Sequence, residues 1–337
     1  ACAKYPPRRL MTKISIAIDV RSLYTNIPNQ EGINASIKNL DKHDTTGVNK
    51  EMIETMLKLI LENNYFEFND KYYLQTHGTA MGTTMAVSYA NIFMATLEEE
   101  ILKNAPEGLT PFEWIRFLDD IFAIWCHDEA SLLRFLHYMN TAHHTIKFEY
   151  EYSSTTVNFL DTRIYINQQN KLESDIYIKP TDKTILLHNT SFHPNSCKQG
   201  IIYSQALRYR RTITNDTTLR NQLEKLKIIL MTRGYNSNTI DEAFKKVTQQ
   251  TQKQLLHDDK PNKTGNRPTF SIPFNTNTRH INQILKKHWH LIEDDPALKI
   301  LWPDIPMVAF KRNKNIREML VCSKLKQTDN KTKTTHH

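Results

Sequence analysis

Two adjacent aspartates interrupt an apolar stretch near the middle of the chain. Asp119 and Asp120 lie within residues 114–125, Trp-Ile-Arg-Phe-Leu-Asp-Asp-Ile-Phe-Ala-Ile-Trp, a pattern that predicts strand, turn and strand. Two like charges about 4 Å apart repel by roughly 4 kcal/mol at an effective dielectric of 20, so the pair predicts a compensating cation. Mg²⁺ prefers oxygen ligands and is the natural candidate. The alternative, more common for an isolated Asp-Asp pair, is an exposed turn with two solvated acids.

A third aspartate ends another apolar strand. Residues 14–20, Ile-Ser-Ile-Ala-Ile-Asp-Val, alternate as a strand does, and Asp19 occupies a position where strands usually carry a hydrophobic residue. A strand-end carboxylate beside a hairpin Asp-Asp pair would supply the bridging ligands of a two-metal site, in which the ions lie roughly 3.5–4 Å apart. Taken alone, Asp19 could equally be a helix or turn cap.

Two other features fit such a site. Tyr24 follows Asp19 by five residues, where a planar side chain could approach the sugar of a nucleotide held by the same ions; a lone aromatic is more often part of a core. Residues 75–84, Gln-Thr-His-Gly-Thr-Ala-Met-Gly-Thr-Thr, contain Gly78 and Gly82, which would let backbone approach a base pair or template strand closely. A helix N-terminal cap explains this segment equally well.

The charge is divided unevenly along the chain. Residues 1–175 carry 16 Lys and Arg against 23 Asp and Glu, a net charge of −7, whereas the remainder carries 28 against 13, a net charge of +15. An acidic half joined to a basic half suits a metal-collecting centre beside a surface that holds a polyanion. Solvated surface charge is the alternative.

The order of elements favours an α+β fold with an appended helical domain. We predict a β-hairpin over 65–74 and a long helix over about 84–103. The other predicted elements are strands at 114–125, 146–152, 157–166 and 172–178 and helices near 131–139, 217–232, 238–255 and 279–292, with Gly234 as a helix C-cap and a polar linker at 257–280. We find no internal repeat.

Bulk properties exclude several classes of protein. The 337 residues allow two compact domains, and 39% hydrophobic with 24% charged residues is ordinary for a folded chain. No apolar run approaches the roughly 20 residues that a membrane span needs, and residues 1–10 lack the apolar core of a signal peptide. The scattered cysteines predict reduced thiols in an intracellular protein rather than disulfides or a zinc cluster: Cys2, Cys126, Cys197 and Cys322.

In order and context these segments resemble the reverse transcriptases of Penelope-like retroelements, relatives of telomerase reverse transcriptase. Residues 19–28 (Asp-Val-Arg-Ser-Leu-Tyr-Thr-Asn-Ile-Pro) resemble the family's motif A, residues 77–94 its motif B and residues 117–122 its motif C. Each fragment is weak, but the ordered set is specific. The resemblance spans nearly the whole chain through residues 146–148, 158–162, 177–182, 187–188, 191–194, 204–211 and 309–312.

The resemblance implies the fold of a right-hand polymerase. We expect an antiparallel palm sheet flanked by helices, then a mainly α-helical thumb, with the fingers largely missing. The predicted domains are a palm with residual fingers over 1–178, a helical thumb over 179–256, and a linker with a basic C-terminal extension over 257–337. The implied activity is RNA-directed DNA polymerase. Its partners would be an RNA template, a DNA primer and dNTPs, with no membrane, and its location nuclear.

The resemblance also implies roles for individual residues around the acids. Asp19 and Asp119 would be the principal ligands of two Mg²⁺ ions, for which Mn²⁺ could substitute, and Asp120 the supporting third acid. Tyr24 would exclude a 2′-hydroxyl and so select deoxynucleotides. The remaining contact, with the nascent base pair, would come from Met81 and Gly82.

Four basic positions and a possible metal cluster complete the predicted sites. Lys147 would be the motif D lysine that protonates pyrophosphate, with a solvated strand lysine as the alternative. Thumb contacts to backbone phosphates would come from Arg208, Arg210 and Arg211, with a solvated helix face as the alternative. A His/Cys set could suggest zinc, but its setting in the resemblance favours a structural role: His188, His193 and Cys197.

The sequence departs from the family's pattern in three ways. Residues 86–87 are Ala-Val where many relatives have Ser-Pro. The fingers motifs that hold the triphosphate would lie upstream of residue 1, which is not Met, so we expect a fragment. The polar tail at 331–337 is not the GIY-YIG endonuclease that relatives usually carry at this end.

These departures support a second hypothesis, a catalytically inactive nucleic-acid-binding remnant of such an enzyme. A metal-dependent nuclease fits less well, because Tyr24 and the glycines of 75–84 have no place in it.

Overall fold

The computed structural model describes residues 13–42, 47, 49–256 and 268–320, which belong to two compact units. The first unit runs to Leu172 and the second begins at Glu173. The predicted strands at 14–20, 65–74 and 114–125 and the predicted helix at 84–103 are all present in the first unit. Its elements in chain order are β1 (Ile14–Val20), α1 (Leu23–Asn26), α2 (Asn29–Lys42), α3 (Lys50–Glu62), β2 (Tyr65–Phe68), β3 (Lys71–Leu74), α4 (Ala86–Lys103), β4 (Glu113–Phe117), β5 (Asp120–Trp125), α5 (Glu129–Thr141), β6 (Phe148–Ser153), β7 (Thr156–Phe159) and β8 (Thr162–Ile166).

A four-stranded antiparallel sheet forms the centre of the first unit. Its strand order is β4-β5-β1-β6, so β1 lies between β5 and β6. Alternate residues of β1 (Ile14, Ile16 and Ile18) are buried, because one face of the strand lies in the core. Helices α4 and α5 contribute to the same core with Phe93 and Phe135.

Helices α2 and α4 approach each other closely at a glycine. A Cβ at Gly32 would lie 2.0 Å from the hydroxyl of Tyr89, so no side chain fits there. The Tyr89 hydroxyl donates to the Asn29 carbonyl oxygen at 3.1 Å, and burial raises the pKa of this phenol. The contact fixes α2 on α4 just beyond the end of β1.

The hairpins β2–β3 and β7–β8 of the first unit each turn through two residues. In β2–β3, Phe68 pairs with Lys71, and Asn69 and Asp70 both have positive φ, as a type I′ turn requires. This confirms the hairpin predicted at 65–74. The strand predicted over 157–166 is instead two strands, β7 and β8, joined by a turn at 160–161.

The second unit is mainly helical, as predicted beyond Pro180. Strand β9 (Leu172–Ile176) spans the boundary between the units. The other elements are α6 (Asn195–Thr212), α7 (Asp216–Thr232), α8 (Ser237–Thr248), α9 (Gln252–Leu256), β10 (Thr269–Pro273), α10 (Ile281–His288), α11 (His290–Glu293), α12 (Pro296–Leu301), β11 (Met307–Lys311) and α13 (Ile316–Leu320).

Helices α6, α7 and α8 share one core. Ile202 and Ala206 of α6, Leu223 of α7 and Phe244 of α8 are all buried in it. Helix α7 begins at a side-chain cap, because the Asn215 amide oxygen accepts from the backbone N–H groups of residues 217 and 218. It ends before Gly234, whose φ of +78° confirms the predicted C-terminal glycine.

Several predicted elements of the second unit were wrong. Helix α6 was not predicted, and the helix expected over 238–255 breaks between α8 and α9. The expected linker at 257–280 contains β10, which pairs in parallel with β11; its residues 257–267 lie outside the described part of the chain. The helix expected at 279–292 is two short helices, α10 and α11.

Cys126 and Cys197 are free thiols, whereas Cys2, Cys322 and the tail at 331–337 lie outside the described residues. No described helix is both long and apolar enough to cross a membrane.

Candidate functional site

The adjacent aspartates lie at a tight turn between β4 and β5. Phe117 pairs with Asp120, so Leu118 and Asp119 are the only loop residues. Leu118 has a φ of 58°. Positive φ at the first loop position alone is the pattern of a type II′ turn, where glycine is usual and a bulky residue is strained. The turn therefore places Asp119 at the end of the sheet. To do so, Leu118 adopts a backbone conformation that leucine does not favour.

Strand register brings the third aspartate beside this turn. Asp19 of β1 lies directly opposite Asp120 of β5, and the Val20 N–H donates to the Asp119 carbonyl oxygen at 3.0 Å. Because residues 20 and 119 are a hydrogen-bonded pair, 19 and 120 are a non-hydrogen-bonded pair, with Cα atoms about 4.5 Å apart and side chains close. Asp19 is exposed, and Asp119 and Asp120 are half-buried. Asp19, Asp119 and Asp120, the predicted metal ligands, therefore lie together at one end of the sheet.

A fourth carboxylate, not predicted from the sequence, continues this row. Glu149 of β6 lies opposite Asp19 on the other side of β1, so Asp120, Asp19 and Glu149 share one face of three neighbouring strands. Glu149 is exposed and forms an ion pair with Arg21 at 3.8 Å. This position could not be predicted from the sequence, because the local residues of β1 and β6 do not show that the two strands pair.

The donor set at this end of the sheet fits divalent magnesium. Carboxylate oxygens are the ligands that Mg²⁺ prefers, and residues Asp19, Asp119 and Asp120 could hold such ions. In the described part of the chain, however, their ligand oxygens do not all lie within 4.8 Å of one another. The backbone brings the three residues together, and side-chain rotation has to bring the oxygens onto an ion.

One other group of side chains does meet that distance. Ligand atoms of Glu31, His143 and His144 lie within 4.8 Å of one another. His143 Nδ1, however, accepts from the backbone N–H groups of Thr145 (3.2 Å) and Ile146 (3.1 Å). The ring proton of neutral His143 is therefore on Nε2, which donates to Glu31 Oε2 at 2.8 Å and has no lone pair for a metal. This cluster joins α2 to the loop before β6 and is not a metal site of the expected kind.

The glycine segment meets the tyrosine through its first glycine. The Thr79 N–H donates to the Tyr24 carbonyl oxygen at 2.8 Å, and a Cβ at Gly78 would lie 2.3 Å from that same oxygen. Gly78 also has a φ of +68°, which favours glycine. Gly82, which was predicted to contact the nascent base pair, has open space where a Cβ would be. Gly82 is exposed to solvent, and so is Met81, at 69%. The side chain of Tyr24 packs against the core, which is the more common role of a lone aromatic residue.

A half-buried arginine of β4 reaches the aspartate turn. Arg116 Nε donates to Glu98 Oε2 at 2.8 Å, and its Nη1 donates to Asn91 Oδ1 at 2.8 Å and to the Leu118 carbonyl oxygen at 3.0 Å. Trp114 Nε1 donates to the other Glu98 oxygen at 2.8 Å. This network was not predicted from the sequence, although a lone arginine within an apolar strand was a signal for it.

The Lys147 ammonium has backbone partners in this structure. Its ammonium donates to the backbone carbonyl oxygens of Asn140 and His143, each at 2.9 Å, at the C-terminal end of α5. Helix ends leave such carbonyls without intrahelical partners and favour a cation. Lys147 therefore caps α5 in this structure, and its role as a pyrophosphate donor stays a prediction.

The structure corrects Arg210 as a phosphate contact. Its side chain is buried, with Nη1 donating to Asp216 at 2.7 Å and Nε donating to the Gln250 carbonyl oxygen at 2.8 Å. These bonds join α6 to α7 and to the end of α8, so the guanidinium is not available to a nucleic acid. Arg208 and Arg211 of the same helix are exposed.

The His/Cys set of the second unit forms local bonds. His188 Nδ1 lies 2.8 Å from the Thr190 hydroxyl, and His193 Nδ1 lies 3.2 Å from the Ser191 hydroxyl. Cys197 is exposed and free. None of the three belongs to a metal-ligand group in the described residues.

Comparisons with known proteins found one family-model match and several solved structures with a similar fold. Residues 185–245, less than half of the chain, match the family model of the animal helix-turn-helix domain. No curated protein matches the sequence. Among solved structures, the telomerase of Candida albicans in complex with the TWJ fragment of telomeric RNA is similar at a TM-score of 0.50 and 9% identity, over 72% of this chain and 47% of that one.

Two further solved structures are similar at lower scores. The apo telomerase of Candida tropicalis gives a TM-score of 0.42 at 12% identity, over 72% of this chain and 44% of that one. The RNA-dependent RNA polymerase of a human picobirnavirus gives 0.47 at 10% identity, over 70% and 46%. The chain spans less than half the length of each of these proteins. At such identities the likeness concerns the fold, and the fold is polymerase-like.

Proposed function

We propose that this chain is the RNA-directed DNA polymerase core of a Penelope-like retroelement, acting by two-metal nucleotidyl transfer to a primer 3′-hydroxyl. The observation that carries the proposal is the register of β1 on β5, which sets Asp19 against Asp120 beside the turn that bears Asp119. The polymerase-like fold supports it. In this proposal β1 and β4–β6 form the palm, and α6–α8 belong to the thumb.

The three aspartates would hold two Mg²⁺ ions, with Asp19 and Asp119 as principal ligands and Asp120 in support. When bound, these ions activate the 3′-hydroxyl and stabilise the leaving pyrophosphate. The chain itself supplies the fixed backbone: the Val20 N–H holds the Asp119 carbonyl, so the turn cannot move independently of β1. Glu149 adds a fourth negative charge to the row and strengthens its attraction for cations.

Residues around the acids would position the substrates. Tyr24 is half-buried with its side chain packed against the core, and its carbonyl oxygen accepts from the Thr79 N–H; in this proposal the ring would exclude a ribose 2′-hydroxyl. Met81 and Gly82 are exposed and would contact the nascent base pair. Arg208 and Arg211 would bind backbone phosphates from the second unit.

Primer extension tests the proposal directly. The chain is incubated with a DNA primer on an RNA template, dNTPs and Mg²⁺, beside two variants, Asp119→Ala and Asp161→Ala. We expect Asp119→Ala to lower incorporation by about 1,000-fold, since a metal site supplies several kcal/mol and each 1.36 kcal/mol is tenfold. Asp161→Ala is the comparison variant: Asp161 follows the same Phe-Leu pair in the β7–β8 turn but is not a proposed metal ligand, so its loss should lower incorporation far less than the loss of Asp119.

Three outcomes would contradict the proposal. Equal extension by wild type and Asp119→Ala removes the metal role. Incorporation of NTPs but not dNTPs indicates an RNA polymerase. Absence of incorporation in both Mg²⁺ and Mn²⁺ favours the second candidate function.

That second function is nucleic-acid binding without catalysis. The net charge of +15 after residue 175 and the helix-turn-helix match at 185–245 favour it. It predicts RNA or DNA binding whose affinity falls linearly with salt on logarithmic axes, with no nucleotide incorporation. Fluorescence anisotropy over a salt series measures the binding, and detectable incorporation by the wild-type chain excludes this function.

A further inference from the structure

The turn that carries Asp119 is held by a side chain of β4 rather than by its own sequence. Arg116 Nη1 donates to the Leu118 carbonyl oxygen at 3.0 Å, and the rest of the guanidinium is bound to α4. We propose that Arg116, with Glu98 and Asn91, is a positioning residue that sets the geometry of the carboxylates at this turn. The inference deepens the proposed polymerase function and rests on it.

The turn requires such a restraint because its backbone is strained. Leu118 has a φ of 58°, in the left-handed region, where an L-residue with a branched side chain is disfavoured. Glycine is the usual residue at the first position of a two-residue turn of this kind. Arg116 binds the carbonyl of Leu118, which belongs to the peptide unit that joins Leu118 to Asp119. The bond therefore fixes the orientation of this peptide unit and with it the direction of the Asp119 side chain.

The arginine is itself held from three directions. Its Nε binds Glu98 Oε2, its Nη1 binds Asn91 Oδ1 at 2.8 Å, and its Nη2 donates to the Asn91 carbonyl oxygen at 3.3 Å. The Arg116 and Glu98 side chains are each 13% exposed. A guanidinium that is 13% exposed and makes four hydrogen bonds has few alternative positions, so the Leu118 carbonyl is bound by a rigid group.

Glu98 is fixed from both sides as well. Its Oε2 accepts a hydrogen bond from Arg116 Nε, and its Oε1 accepts one from Trp114 Nε1, each at 2.8 Å. Glu98 and Asn91 both belong to α4, which starts a few residues after Gly82. The network therefore ties the aspartate turn to the helix that comes after the Met81–Gly82 segment, and the proposed metal ligands keep a fixed distance from that helix.

Arginine is required for this arrangement because of its shape. The planar guanidinium has five N–H donors, and four bonds from its nitrogens leave in different directions here: to Glu98, to both oxygens of Asn91 and to Leu118. A lysine ammonium is a single point donor on a flexible stem and cannot reach a helix side chain and the turn together. Lys at 116 would retain the charge beside Glu98 and lose the hold on the turn.

The test uses the whole chain and three changes of this network. Arg116→Lys keeps the charge, and the pair Arg116→Gln with Glu98→Gln removes both charges, so that neither leaves an uncompensated buried ion. Asn91→Ala keeps the ion pair and removes one acceptor that orients the guanidinium. Arg163→Gln is the matched control, since Arg163 is an exposed arginine of β8 in the other Phe-Leu-Asp hairpin.

Two readouts distinguish positioning from a merely structural role. The first is amide hydrogen exchange without metal: we expect residues 117–121 to exchange at least about tenfold faster in Arg116→Lys, with the amides of β1 and β6 unchanged. The second is primer extension over a Mg²⁺ series. There we expect kcat to fall by between about 10- and 100-fold and the half-saturating Mg²⁺ concentration to rise, with KM for dNTP little changed, since a misplacement on the order of 1 Å can cost 10²-fold.

Contrary results are equally defined. Uniformly faster exchange across the first unit would mean that the network only stabilises the fold. Wild-type exchange at 117–121 in the Arg116→Lys and double-Gln variants would overturn the inference. If the wild-type chain incorporates no nucleotide, the proposed function fails, whereas the exchange experiment still decides whether Arg116 holds the turn. A variant that does not fold is replaced in both readouts by Asn91→Ala.

Discussion

Two hairpins of the first unit close on the same tripeptide. Phe117-Leu118-Asp119 joins β4 to β5, and residues 159–161, again Phe-Leu-Asp, join β7 to β8. In both turns the phenylalanine pairs with the residue after the aspartate, and the leucine has positive φ, 58° in the first and 54° in the second. The tripeptide thus specifies a two-residue turn in both places where it lies between strands.

The surroundings of the two turns differ. The first turn is followed by Asp120, which lies opposite Asp19 of β1, and its leucine carbonyl is bound by the half-buried Arg116. The second is followed by Thr162, and its Leu160 is 39% exposed. The local sequence therefore sets the shape of the turn, whereas neighbouring strands supply the charges that give one turn a chemistry.

Converting the first turn into the second tests this most strongly. Asp120→Thr gives residues 117–120 the sequence of residues 159–162, Phe-Leu-Asp-Thr. We expect incorporation to fall by roughly 100-fold, because a supporting metal ligand is lost. Stability should rise by up to about 1 kcal/mol, since like charges directly opposite each other in a sheet are destabilising. Primer extension and urea unfolding measure the two effects.

The converse substitution is the control. Thr162→Asp builds Phe-Leu-Asp-Asp in the second hairpin. It should neither restore activity to Asp119→Ala nor alter wild-type incorporation. Restored activity would show that Phe-Leu-Asp-Asp in a hairpin is sufficient for catalysis, and that the charges on neighbouring strands are not needed.

The two phenylalanines should differ next in stability. Phe159 packs on Phe122 with ring centroids 5.7 Å apart, whereas Phe117 is 57% exposed. We expect Phe159→Ala to cost about 2 kcal/mol, below the roughly 3–5 kcal/mol of a fully buried aromatic, and Phe117→Ala to cost less than about 1 kcal/mol. Urea unfolding of both variants gives the difference, and equal costs would contradict it.

The two leucines should respond to asparagine, which tolerates positive φ. Leu160→Asn should stabilise the chain by about 0.5–1 kcal/mol, because strain is relieved and little apolar contact is lost. Leu118→Asn should give a smaller gain, since Leu118 is half-buried and loses contacts as well. The midpoints of urea unfolding rank the pair, and a larger gain at 118 would mean that strain, not packing, dominates there.

The smallest expected effect concerns the helix that comes after the first hairpin. Strand β5 leads into α5, whose N-cap Asp128 accepts from the Ser131 N–H at 2.8 Å, and this bond lowers the pKa of the carboxyl. A carboxyl with a lowered folded pKa stabilises the fold above its unfolded pKa, about 3.9, and loses that contribution as pH falls through the folded pKa.

Asp128→Asn retains a good N-cap without the titration. Urea midpoints of wild type and variant should therefore run parallel above about pH 5 and converge or cross below about pH 4. A constant offset down to about pH 2 would show that the charge of Asp128 contributes nothing.

The strands and the turn residues could be predicted because their signals are local. Alternating apolar residues marked β1, and Asn69-Asp70 marked the β2–β3 turn. The adjacency of Asp19 and Asp120 could not be derived from spacing, because the pairing of β1 with β5 joins segments about 100 residues apart. The same holds for Glu149, which only the pairing of β1 with β6 brings into the row.

Charged residues were the least predictable part of the site. Arg210 lies four residues after Ala206 and eight after Ile202, on the buried face of α6, so its spacing held a signal against solvent exposure. Lys147 carried no such signal, because the carbonyls that bind it belong to the end of a helix. Electrostatic partners are set by tertiary packing, and a single sequence shows the charges without their neighbours.

The contact of Gly78 with Tyr24 has a consequence for the order in which the chain folds. The bonds from Arg116 to α4 span 18 to 25 residues and close early, whereas the Thr79–Tyr24 bond spans 55 residues. Non-local contacts form later, since their loop-closure entropy must be overcome first. We therefore expect the hairpin that carries Asp119 to form before residues 78–79 reach Tyr24. Competence to act on a substrate would then arise in the last steps of folding.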